Sequence, residues 1–243
     1  PAGNTNNSSV IMKGAPPGYT RLTAELLVRA YSAGIFPMAD AADAAAIFWV
    51  DPPVRGILPL DTFHVPKRLA KTVRRQVFEV RCDTAFERVM RCCAKATPQR
   101  PDTWINDEII RAYTELHDLG CAHSVESWRG NRLVGGIYGV SLGGAFFGES
   151  MFHRETDASK VALVHMVARL KLGGYRLFDT QFVTEHLRRF GAVEIPSRNY
   201  LQQLADALSE TVGFPAATAP NGFDGALADV LGHKPGPHPT TAS

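Results

Sequence analysis

Residues 133–182, LVGGIYGVSLGGAFFGESMFHRETDASKVALVHMVARLKLGGYRLFDTQF, decide the fold of this chain. Two apolar runs flank the glycine pair at 143–144, and this pattern predicts two strands joined by a turn. Ser159 begins a strongly apolar helix that ends at the glycine pair 173–174, and residues 175–182 read as another strand. A hairpin followed by a helix and a strand predicts a mixed sheet with helices packed against it, an α/β architecture.

The segments around this stretch extend the prediction. Residues 19–54 are expected to form a small N-terminal domain, and residues 55–214 to form the main domain. The N-terminal segment contains an amphipathic helix that ends at Gly34 and a short strand, 47–53, closed by two prolines. In the main domain, Asn106 has the features of a helix N-cap, because acidic residues and then apolar residues at helical spacing follow it.

Both ends of the chain lack periodic apolar residues. Residues 1–18 and 215–243 are rich in small residues, polar residues and proline. This composition predicts a flexible leader and a flexible tail, with at most a short helical turn over residues 226–231. We expect neither end to carry chemistry.

Composition excludes several classes of protein. Of 243 residues, 45% are apolar, which is enough to form a hydrophobic core. The 26 basic residues nearly balance the 24 acidic ones, so the overall charge does not indicate a polyanionic partner. No apolar run approaches the roughly 20 residues that cross a bilayer, which predicts a cytoplasmic protein without a membrane partner. The four cysteines show no C-x-x-C spacing, so neither a disulfide scaffold nor a zinc site is predicted.

Positive charge is concentrated between residues 64 and 100, which contain ten basic and three acidic residues. A helix is predicted over residues 65–77. Its basic residues recur at helical spacing on one face: Lys67, Lys71, Arg74 and Arg75. Its core-facing residues are Leu69, Val73 and Val77. Such a basic face is either an ordinary solvated surface or an electrostatic seat for phosphate groups.

Two polar side chains lie two residues apart on the strand predicted over residues 175–182. Asp179 and Gln181 therefore point to the same face of that strand. A carboxylate and an amide can hold each other there, which leaves the carbonyl oxygen of Gln181 free to accept a hydrogen bond from an incoming N–H group. The alternative is a structural polar pair at a strand end.

Motifs of nucleotide binding and of metal binding are missing from the sequence, which contains no G-x-G-x-x-G or G-K-[ST] phosphate loop and no H-x-x-x-H pair. The G-x-S-x-G spacing occurs at residues 139–143, GVSLG, but there it leads into the predicted turn between two strands, whereas a nucleophile elbow joins a strand to a helix. These observations disfavour a hydrolase, a kinase and a metalloenzyme. The class that remains is an enzyme that aligns two reactants without a covalent enzyme intermediate.

Over residues 22–208 the sequence resembles the bacterial leucyl/phenylalanyl-tRNA–protein transferases. Short motifs in a fixed order carry this resemblance: YSAGIFP (31–37), TWI (103–105), HSVE (123–126), LVGGIYG (133–139), GESMF (148–152), ASK (158–160), DTQ (179–181) and GAVEIP (191–196). The sequence departs from the family pattern at Met38, where tryptophan is frequent, and at Ser197, where arginine is common.

The resemblance implies an acyl-CoA N-acyltransferase-like (GNAT-like) main domain behind the small N-terminal domain. It also implies the reaction. Leu or Phe, and less often Met, moves from aminoacyl-tRNA to the α-amine of proteins with an N-terminal Arg or Lys, which marks those proteins for N-end-rule degradation. No metal or nucleotide cofactor is implied. The expected partners are charged tRNA and the acceptor proteins, and a monomer is expected.

The resemblance also implies roles for individual residues. Gln181 would accept a hydrogen bond from the attacking amine, and Asp179 would fix and polarise Gln181. Four residues would line the apolar pocket for the donated side chain: Ile137, Phe146, Met166 and Phe178.

Other residues would hold the rest of the two substrates. Glu149 would contact either the positive N-terminal side chain of the acceptor or the adenosine ribose. The terminal adenosine or the adjoining acceptor peptide would be held by Tyr31, Trp104 and Tyr113. The phosphates of the tRNA acceptor stem would be bound by Lys67, Arg68, Lys71, Arg74 and Arg75.

Two other functions remain open from the sequence. An acyl-CoA N-acyltransferase is suggested by the expected fold, but it predicts a glycine-rich pyrophosphate loop where residues 151–159 contain no glycine. A non-catalytic tRNA-binding protein would keep the basic helix and would not require the pair formed by Asp179 and Gln181.

Overall fold

The computed structural model describes residues 10–13, 21–39, 47–95, 103–217 and 220–232. The strands are β1 (Val10–Lys13), β2 (Phe36–Ala39), β3 (Ile47–Asp51), β4 (Val54–Ile57), β5 (Glu79–Cys82), β6 (Ala122–Arg129), β7 (Arg132–Leu142), β8 (Ala145–His153), β9 (Leu177–Gln181) and β10 (Val193–Pro196). The helices are α1 (Ala24–Ser32), α2 (Lys67–Arg74), α3 (Phe86–Cys93), α4 (Asp107–Asp118), α5 (Ala158–Gly173), α6 (Glu185–Arg188), α7 (Ser197–Leu208) and α8 (Phe223–Gly232).

Seven strands form the central sheet in the order β10-β4-β9-β8-β7-β6-β5. All neighbours are antiparallel except β8 and β9, which run parallel and are joined by α5, as parallel strands need a crossover connection. This parallel pairing covers only three residue pairs and ends at Phe147 and Asp179. Beyond that point β8 pairs only with β7, while β9 pairs with β4, so the two strands separate. The predicted α/β class with a mixed sheet is confirmed.

The N-terminal segment forms a separate three-stranded antiparallel sheet with the order β1-β3-β2. In α1, Thr23 caps the first turn by accepting from the backbone N–H of Leu26, and Leu27 and Tyr31 are fully buried. These two side chains belong to the same buried cluster as Tyr113 of α4, because α1 packs on α4. The N-terminal segment therefore shares a hydrophobic core with the main sheet, and a domain boundary at residue 54 stays a prediction.

The helix predicted over residues 65–77 is shorter in the structure. It begins after Pro66 and ends at Arg74, because Gln76 adopts a left-handed backbone conformation with φ of 48°. Val77 therefore lies outside the helix and is exposed rather than part of the core. The predicted cap at Asn106 is confirmed, and Thr184 caps α6 in the same way; each accepts a hydrogen bond from a backbone N–H three residues later.

The ends of the chain are more structured than predicted. Strand β1 lies within the predicted leader and pairs with β3, while residues 1–9 and 14–18 lie outside the described residues. The tail contains α8, a helix of ten residues that packs on α5 and buries Phe223 and Val230. The prediction of a flexible tail is wrong for this part, because its two buried apolar residues anchor it. Residues 218–219 and 233–243 of the tail also lie outside the described residues.

A buried arginine holds the start of this tail. Arg169 of α5 donates hydrogen bonds to the carbonyl oxygens of Pro215 and Ala217, and its guanidinium lies 4.8 Å from the ring centre of Phe223. The longest helix of the described part of the chain is α5, and no helix there is long and apolar enough to cross a bilayer.

Candidate active site

A cavity of about 310 Å³ opens where β8 and β9 separate. Much of its wall is apolar and includes Ile137, Met151, Leu163, Phe178 and Leu187. Its polar groups include Glu149, Thr180, Gln181 and His186, and Trp104 and residues 36–38 also line it. An apolar cavity with a few convergent polar groups is the usual form of a site for a small molecule or a small part of a larger one.

Glu149 occupies a β-bulge in β8. Tyr138 of β7 pairs with Ser150, and the next residue, Gly139, pairs with Gly148, so Glu149 is the extra residue in β8. A bulge changes the direction of a side chain relative to the regular pleat. Here the half-buried side chain of Glu149 lines the cavity.

On β9, Asp179 is the centre of a fully buried ionic cluster. Its carboxylate accepts hydrogen bonds from Arg55 Nη2 at 2.7 Å and Arg55 Nε at 3.0 Å, from the Tyr200 hydroxyl at 2.7 Å, and from the backbone N–H of Gln181 at 2.7 Å. Arg55 also donates to the carbonyl oxygen of Gly34 and lies between the rings of Phe36 and Tyr200. We call Arg55, Asp179 and Tyr200 the sealed cluster, because no more than 1% of any of the three is exposed.

Gln181 has a strained backbone at the end of β9. Its φ is 56°, and the N–H of Phe182 donates to the carbonyl oxygen of Thr180 at 2.6 Å, which forms the rare γ-turn with positive φ. Such a conformation persists only where the surroundings enforce it. Here Asp179 holds the Gln181 N–H, and Gly56 of β4 leaves room for the turn, because a Cβ at Gly56 would lie 2.7 Å from the Phe182 backbone.

The side-chain amide of Gln181 is held by Glu149. Gln181 Nε2 donates to Glu149 Oε1 at 3.2 Å, and the Tyr113 hydroxyl donates to Glu149 Oε2 at 3.3 Å. The hydroxyls of Tyr31 and Tyr113 are hydrogen-bonded to each other. We call Gln181, Glu149, Tyr113 and Tyr31 the open cluster, because Gln181 and Glu149 line the cavity.

Burial is the main cause of the altered acidity in the open cluster. It raises the pKa of Glu149 to about 8, and the nearby charge of Asp179 acts in the same direction, while hydrogen bonds to Tyr31 and Tyr113 and the charge of Arg55 oppose it. Burial and then the charge of Glu149 raise the pKa of Tyr31 and of Tyr113 well above the usual value, so both phenols stay protonated. The cluster therefore holds a carboxyl group that gains or loses its proton close to neutral pH.

Comparison with known proteins identifies the family. The family model described as leucyl/phenylalanyl-tRNA protein transferase matches residues 57–205, and the model of the N-terminal domain of that family matches residues 20–53. The chain belongs to this family. The predicted family and the predicted class of enzyme, a transferase, are confirmed.

Individual relatives agree with this assignment. The leucyl/phenylalanyl-tRNA–protein transferase of Paramagnetospirillum magneticum is 63% identical over 79% of this chain and 92% of the relative. That of Phenylobacterium zucineum is 58% identical over 82% of this chain and 91% of the relative. A solved GCN5-related N-acetyltransferase-like protein from Streptococcus suis is 12% identical with a TM-score of 0.30, covering 66% of this chain and 59% of that one, and at this level the likeness supports no functional conclusion.

The residues predicted to line the transferase's aminoacyl pocket fall into two groups. Ile137 and Phe178 line the cavity. Phe146 and Met166 are not among its lining residues and have no exposed surface, since they belong to the buried core cluster that also contains Ile137 and Phe178. A contact of these two side chains with a donated residue stays a prediction.

The predicted aromatic contacts divide in the same way. Trp104 lines the cavity and is only partly buried. Tyr31 and Tyr113 have no exposed surface, so in this structure their ring faces are not open to a base or a peptide. Instead the Tyr113 hydroxyl donates to Glu149, and the Tyr31 hydroxyl is hydrogen-bonded to that of Tyr113.

The predicted contact between Asp179 and Gln181 exists in a different form. The carboxylate accepts from the backbone N–H of Gln181, whereas the side-chain amide binds Glu149. The expected carboxylate–amide pair on one strand face is wrong, because the γ-turn at Gln181 takes this residue out of the regular pleat. Sequence reasoning missed Arg55 and Tyr200 altogether. A charged residue inside the apolar stretch VRGIL (54–58) was the available signal, because a buried charge requires a partner.

The basic face of α2 is exposed. All five residues predicted to bind phosphate are exposed: Lys67, Arg68, Lys71, Arg74 and Arg75. Arg74 donates to the carbonyl oxygen of Leu231, so it also contacts α8. Among the described residues, none of the other four pairs with a carboxylate, whereas Arg81 and Arg91 do. Arg100, which also contributed to the predicted basic block, lies outside the described residues.

Proposed function

We propose that this transferase moves Leu or Phe, and less often Met, from aminoacyl-tRNA to the α-amine of proteins with an N-terminal Arg or Lys, which marks them for N-end-rule degradation. The observation that carries the proposal is the fixed amide of Gln181 beside an apolar cavity in a chain of this family. A cytoplasmic location and a monomeric state belong to the same proposal.

Gln181 is proposed to position the attacking amine. Because Nε2 donates to Glu149, the carbonyl oxygen of the amide is left to accept a hydrogen bond from the α-amine. An α-amine has a pKa of about 7.7–8.0, so much of it is neutral at cellular pH and able to attack. An amide is too weak a base to remove the proton, and orientation is therefore its contribution.

The reaction needs little further activation. The amine nitrogen attacks the ester carbonyl carbon, the bond from that carbon to the tRNA ribose oxygen breaks, the nitrogen loses one proton and the ribose oxygen gains one. The ester of aminoacyl-tRNA is already activated, so alignment of the two reactants supplies a large part of the rate. Asp179 is proposed to act through the backbone of Gln181, since its carboxylate is saturated with donors and has no exposed surface.

The cavity supports the choice of donor. Its wall around Ile137, Leu163 and Phe178 is apolar, and a volume of about 310 Å³ accommodates one large apolar side chain with the groups beside it. Such a pocket separates Leu, Phe and Met from charged residues strongly. It separates them from one another weakly, because one methylene changes affinity by about 1–3 kcal/mol.

Glu149 supports the choice of acceptor. It is the only carboxylate among the described residues that line the cavity. A cationic Arg or Lys side chain next to it would lower the pKa of Glu149 from about 8, so that binding of such an acceptor below pH 8 releases a proton and forms an ion pair. The second predicted role, a contact to the adenosine ribose, remains the alternative for this residue.

The exposed basic face of α2 is proposed to bind the acceptor stem. Lys67, Lys71 and Arg75 carry charges that no carboxylate within the described residues neutralises. Contacts of such residues to phosphate give affinity that is insensitive to sequence and falls as salt rises.

Transfer of labelled Leu from Leu-tRNA to peptides that differ only in the N-terminal residue tests the proposal. The peptides begin with Arg, Lys, Asp, Glu or Ala, and acetyl-CoA replaces the charged tRNA in a parallel reaction. We expect transfer to Arg and Lys alone, and none from acetyl-CoA. Transfer to Asp or Glu would overturn the acceptor assignment, and no transfer from Leu-, Phe- or Met-tRNA would overturn the proposed function.

A further inference from the structure

The hydroxyl groups of two tyrosines form a chain of hydrogen bonds that ends at Glu149. Tyr113 of α4 donates to Glu149 Oε2 at 3.3 Å, and the Tyr113 hydroxyl is also hydrogen-bonded to that of Tyr31 of α1. A hydroxyl group has one proton to donate, and that of Tyr113 is directed at the carboxylate, so the Tyr113 oxygen accepts from Tyr31. The chain therefore runs from Tyr31 to Tyr113 and then to Glu149.

Packing fixes the rings that carry these hydroxyl groups. Neither ring has exposed surface, and the two rings meet edge to face with their centres 6.5 Å apart. Tyr31 also packs on Phe147, at 4.8 Å between ring centres, and Tyr113 makes an edge-to-face contact with Tyr138, at 6.1 Å. Both hydroxyl groups are thus positioned by the core before a substrate binds, which reduces the entropy lost on binding.

Glu149 connects this chain to the amide of Gln181. Its Oε1 accepts from Gln181 Nε2 at 3.2 Å, while its Oε2 accepts from Tyr113. Each oxygen of the carboxylate is therefore held by a different donor, one that lines the cavity and one that is fully buried. A hydroxyl group that donates to Oε2 limits the rotation of the carboxylate and stabilises its negative charge.

Hydrogen bonds from the two tyrosines favour the ionised form of Glu149. Burial raises the pKa of this residue to about 8, and both hydroxyl groups act against that rise, whereas Asp179 of β9 adds to it and Arg55 of β4 opposes it. Asp179 and Arg55 are paired with each other, and Tyr200 of α7 donates to Asp179. His186 of α6 lines the same cavity and is neutral at physiological pH, because burial lowers its pKa. The two hydroxyl groups can therefore be removed one at a time without breaking an ion pair.

We propose that the hydroxyl groups of Tyr31 and Tyr113 hold the Glu149 carboxylate in place and favour its ionised form, so that the transferase accepts a cationic N-terminal residue at neutral pH. The inference rests on the proposed function, in which Glu149 pairs with the Arg or Lys side chain of the acceptor. Both tyrosines are positioning residues, because they have no exposed surface and act through Glu149.

Tyr113→Phe and Tyr31→Phe test the inference, because each removes one hydroxyl group and keeps the packed ring. Tyr175→Phe is the matched control: Tyr175 is also buried and its hydroxyl is hydrogen-bonded to Ser141, but neither residue lines the cavity. The pKa of Glu149 is read from an NMR titration of protein labelled at the side-chain carboxyl carbon of glutamate, with the signal assigned by its absence in Glu149→Gln. Unfolding of each variant in urea is measured in parallel.

A second measurement follows the pH dependence of transfer. The kcat/KM for Leu transfer to an Arg peptide is measured over about pH 6.5–9, because this quantity reports the ionisation of the free enzyme and the free acceptor. The acceptor amine titrates identically in every reaction, so the ratio of variant to wild type isolates the ionisation of the enzyme.

We expect Tyr113→Phe to raise the pKa of Glu149 by about one unit from about 8, because the ionised form loses a hydrogen bond. The ionised fraction, and with it the kcat/KM for the Arg peptide, should then fall about tenfold at pH 7 and about twofold at pH 9. Tyr31→Phe should shift both quantities in the same direction, while the KM for Leu-tRNA stays the same in both variants. The control should match the wild type at every pH.

Three results would overturn the inference: an unchanged titration of Glu149 in both tyrosine variants, a loss of transfer that is the same at every pH, or an equal loss in the control. If Tyr113→Phe is unstable, Tyr31→Phe decides the matter by itself, because its hydroxyl group acts on the same carboxylate. Failure of the proposed function is distinct from these results, since the wild type would then transfer no Leu at any pH.

Discussion

The two polar clusters beside the cavity differ in how completely their hydrogen bonds are satisfied. In the sealed cluster, the Asp179 carboxylate accepts from Arg55, Tyr200 and a backbone N–H at distances near 3 Å or below, and none of its three side chains is accessible. In the open cluster, Glu149 accepts from Gln181 and Tyr113 at 3.2 and 3.3 Å, and the cavity borders both Glu149 and Gln181. The sealed cluster therefore has no accessible group for a substrate, whereas the open cluster has.

This difference indicates that the sealed cluster supports the structure of the site and that the open cluster takes part in the reaction. The sealed cluster fixes the Gln181 backbone and connects it to β4 and α7 through Arg55 and Tyr200. The open cluster contains a strained residue and a carboxyl group with a raised pKa, both of which destabilise the folded state. Such unfavourable features persist at functional sites because the surrounding structure compensates for them.

The largest expected effect comes from breaking the sealed cluster. Asp179→Ala leaves the buried charge of Arg55 without its partner, so we expect the free energy of unfolding to fall by about 3–5 kcal/mol. Leu transfer should fall more than tenfold, because the Gln181 backbone loses its acceptor, while Leu-tRNA affinity changes little. Urea unfolding and transfer kinetics measure these effects.

Asp61→Ala is the control, because Asp61 is fully exposed and its contact with Lys171 is long, at 4.0 Å. The double variant Arg55→Met with Asp179→Leu should be more stable than Asp179→Ala, since it leaves no unpaired buried charge. Equal stability of Asp179→Ala and the wild type would contradict the structural role of this cluster.

The second largest effect is a gain in stability, expected when Glu149 is replaced. Glu149 holds a proton in the folded protein up to a pH of about 8, whereas the unfolded chain releases it above about 4.3, so this residue lowers the free energy of unfolding as pH rises between those values. Glu149→Gln removes that dependence. We expect the stability of the variant relative to the wild type to rise from pH 5 to pH 8 by about 2–4 kcal/mol, since each pH unit in this interval corresponds to about 1.4 kcal/mol at most.

Thermal unfolding from pH 5 to pH 8 checks this expectation, and Glu155→Gln, a carboxylate that pairs with Arg129 and Arg132 outside the cavity, serves for comparison. Transfer to Arg peptides should fall in Glu149→Gln although the protein is more stable. A variant less stable than the wild type at pH 8 would show that Glu149 contributes to stability as a buried anion, in conflict with its place in the open cluster.

A smaller effect comes from the strain at Gln181. Gln181→Ala and Gln181→Gly lose the same amide, but only glycine adopts a φ of 56° without strain. We therefore expect the glycine variant to be more stable than the alanine variant by about 1 kcal/mol, with equally low transfer. Urea unfolding compares the two proteins. A more stable alanine variant would mean that this turn is unstrained.

The smallest effect on stability is expected outside both clusters. Lys67→Ala with Lys71→Ala should leave Tm unchanged and raise the KM for Leu-tRNA about three- to tenfold at low salt, a defect that shrinks as salt increases. Arg91→Ala with Arg132→Ala removes the same charge from residues paired with carboxylates and should change the KM less. A defect independent of salt would contradict a phosphate-binding role for α2.

Local sequence patterns predicted the elements whose signals are continuous in the chain. The hairpin of β7 and β8 and the apolar helix α5 are mostly apolar stretches of consecutive residues, and the strand with Asp179 begins with two apolar residues. The spacing of Asp179 and Gln181 placed them in one region. It did not show the γ-turn, which depends on Gly56 in a neighbouring strand.

The remaining parts of the site depend on contacts between distant segments. Arg55 lies 124 residues from Asp179, and Tyr31 lies 82 residues from Tyr113. No local pattern links such pairs, because the order of β4 and β9 in the sheet brings the first pair together and the packing of α1 on α4 brings the second pair together. The bulge that directs Glu149 into the cavity has the same origin, since it arises from the register between β7 and β8.

The single-turnover rate of Leu transfer by Gln181→Ala, at saturating Leu-tRNA and an Arg peptide, tests the division between the two clusters most directly. We expect this rate to be at least tenfold below that of the wild type, with the affinity for Leu-tRNA and the free energy of unfolding within about 0.5 kcal/mol of wild-type values. A rate within twofold of the wild type would contradict the assignment of the chemistry to the open cluster.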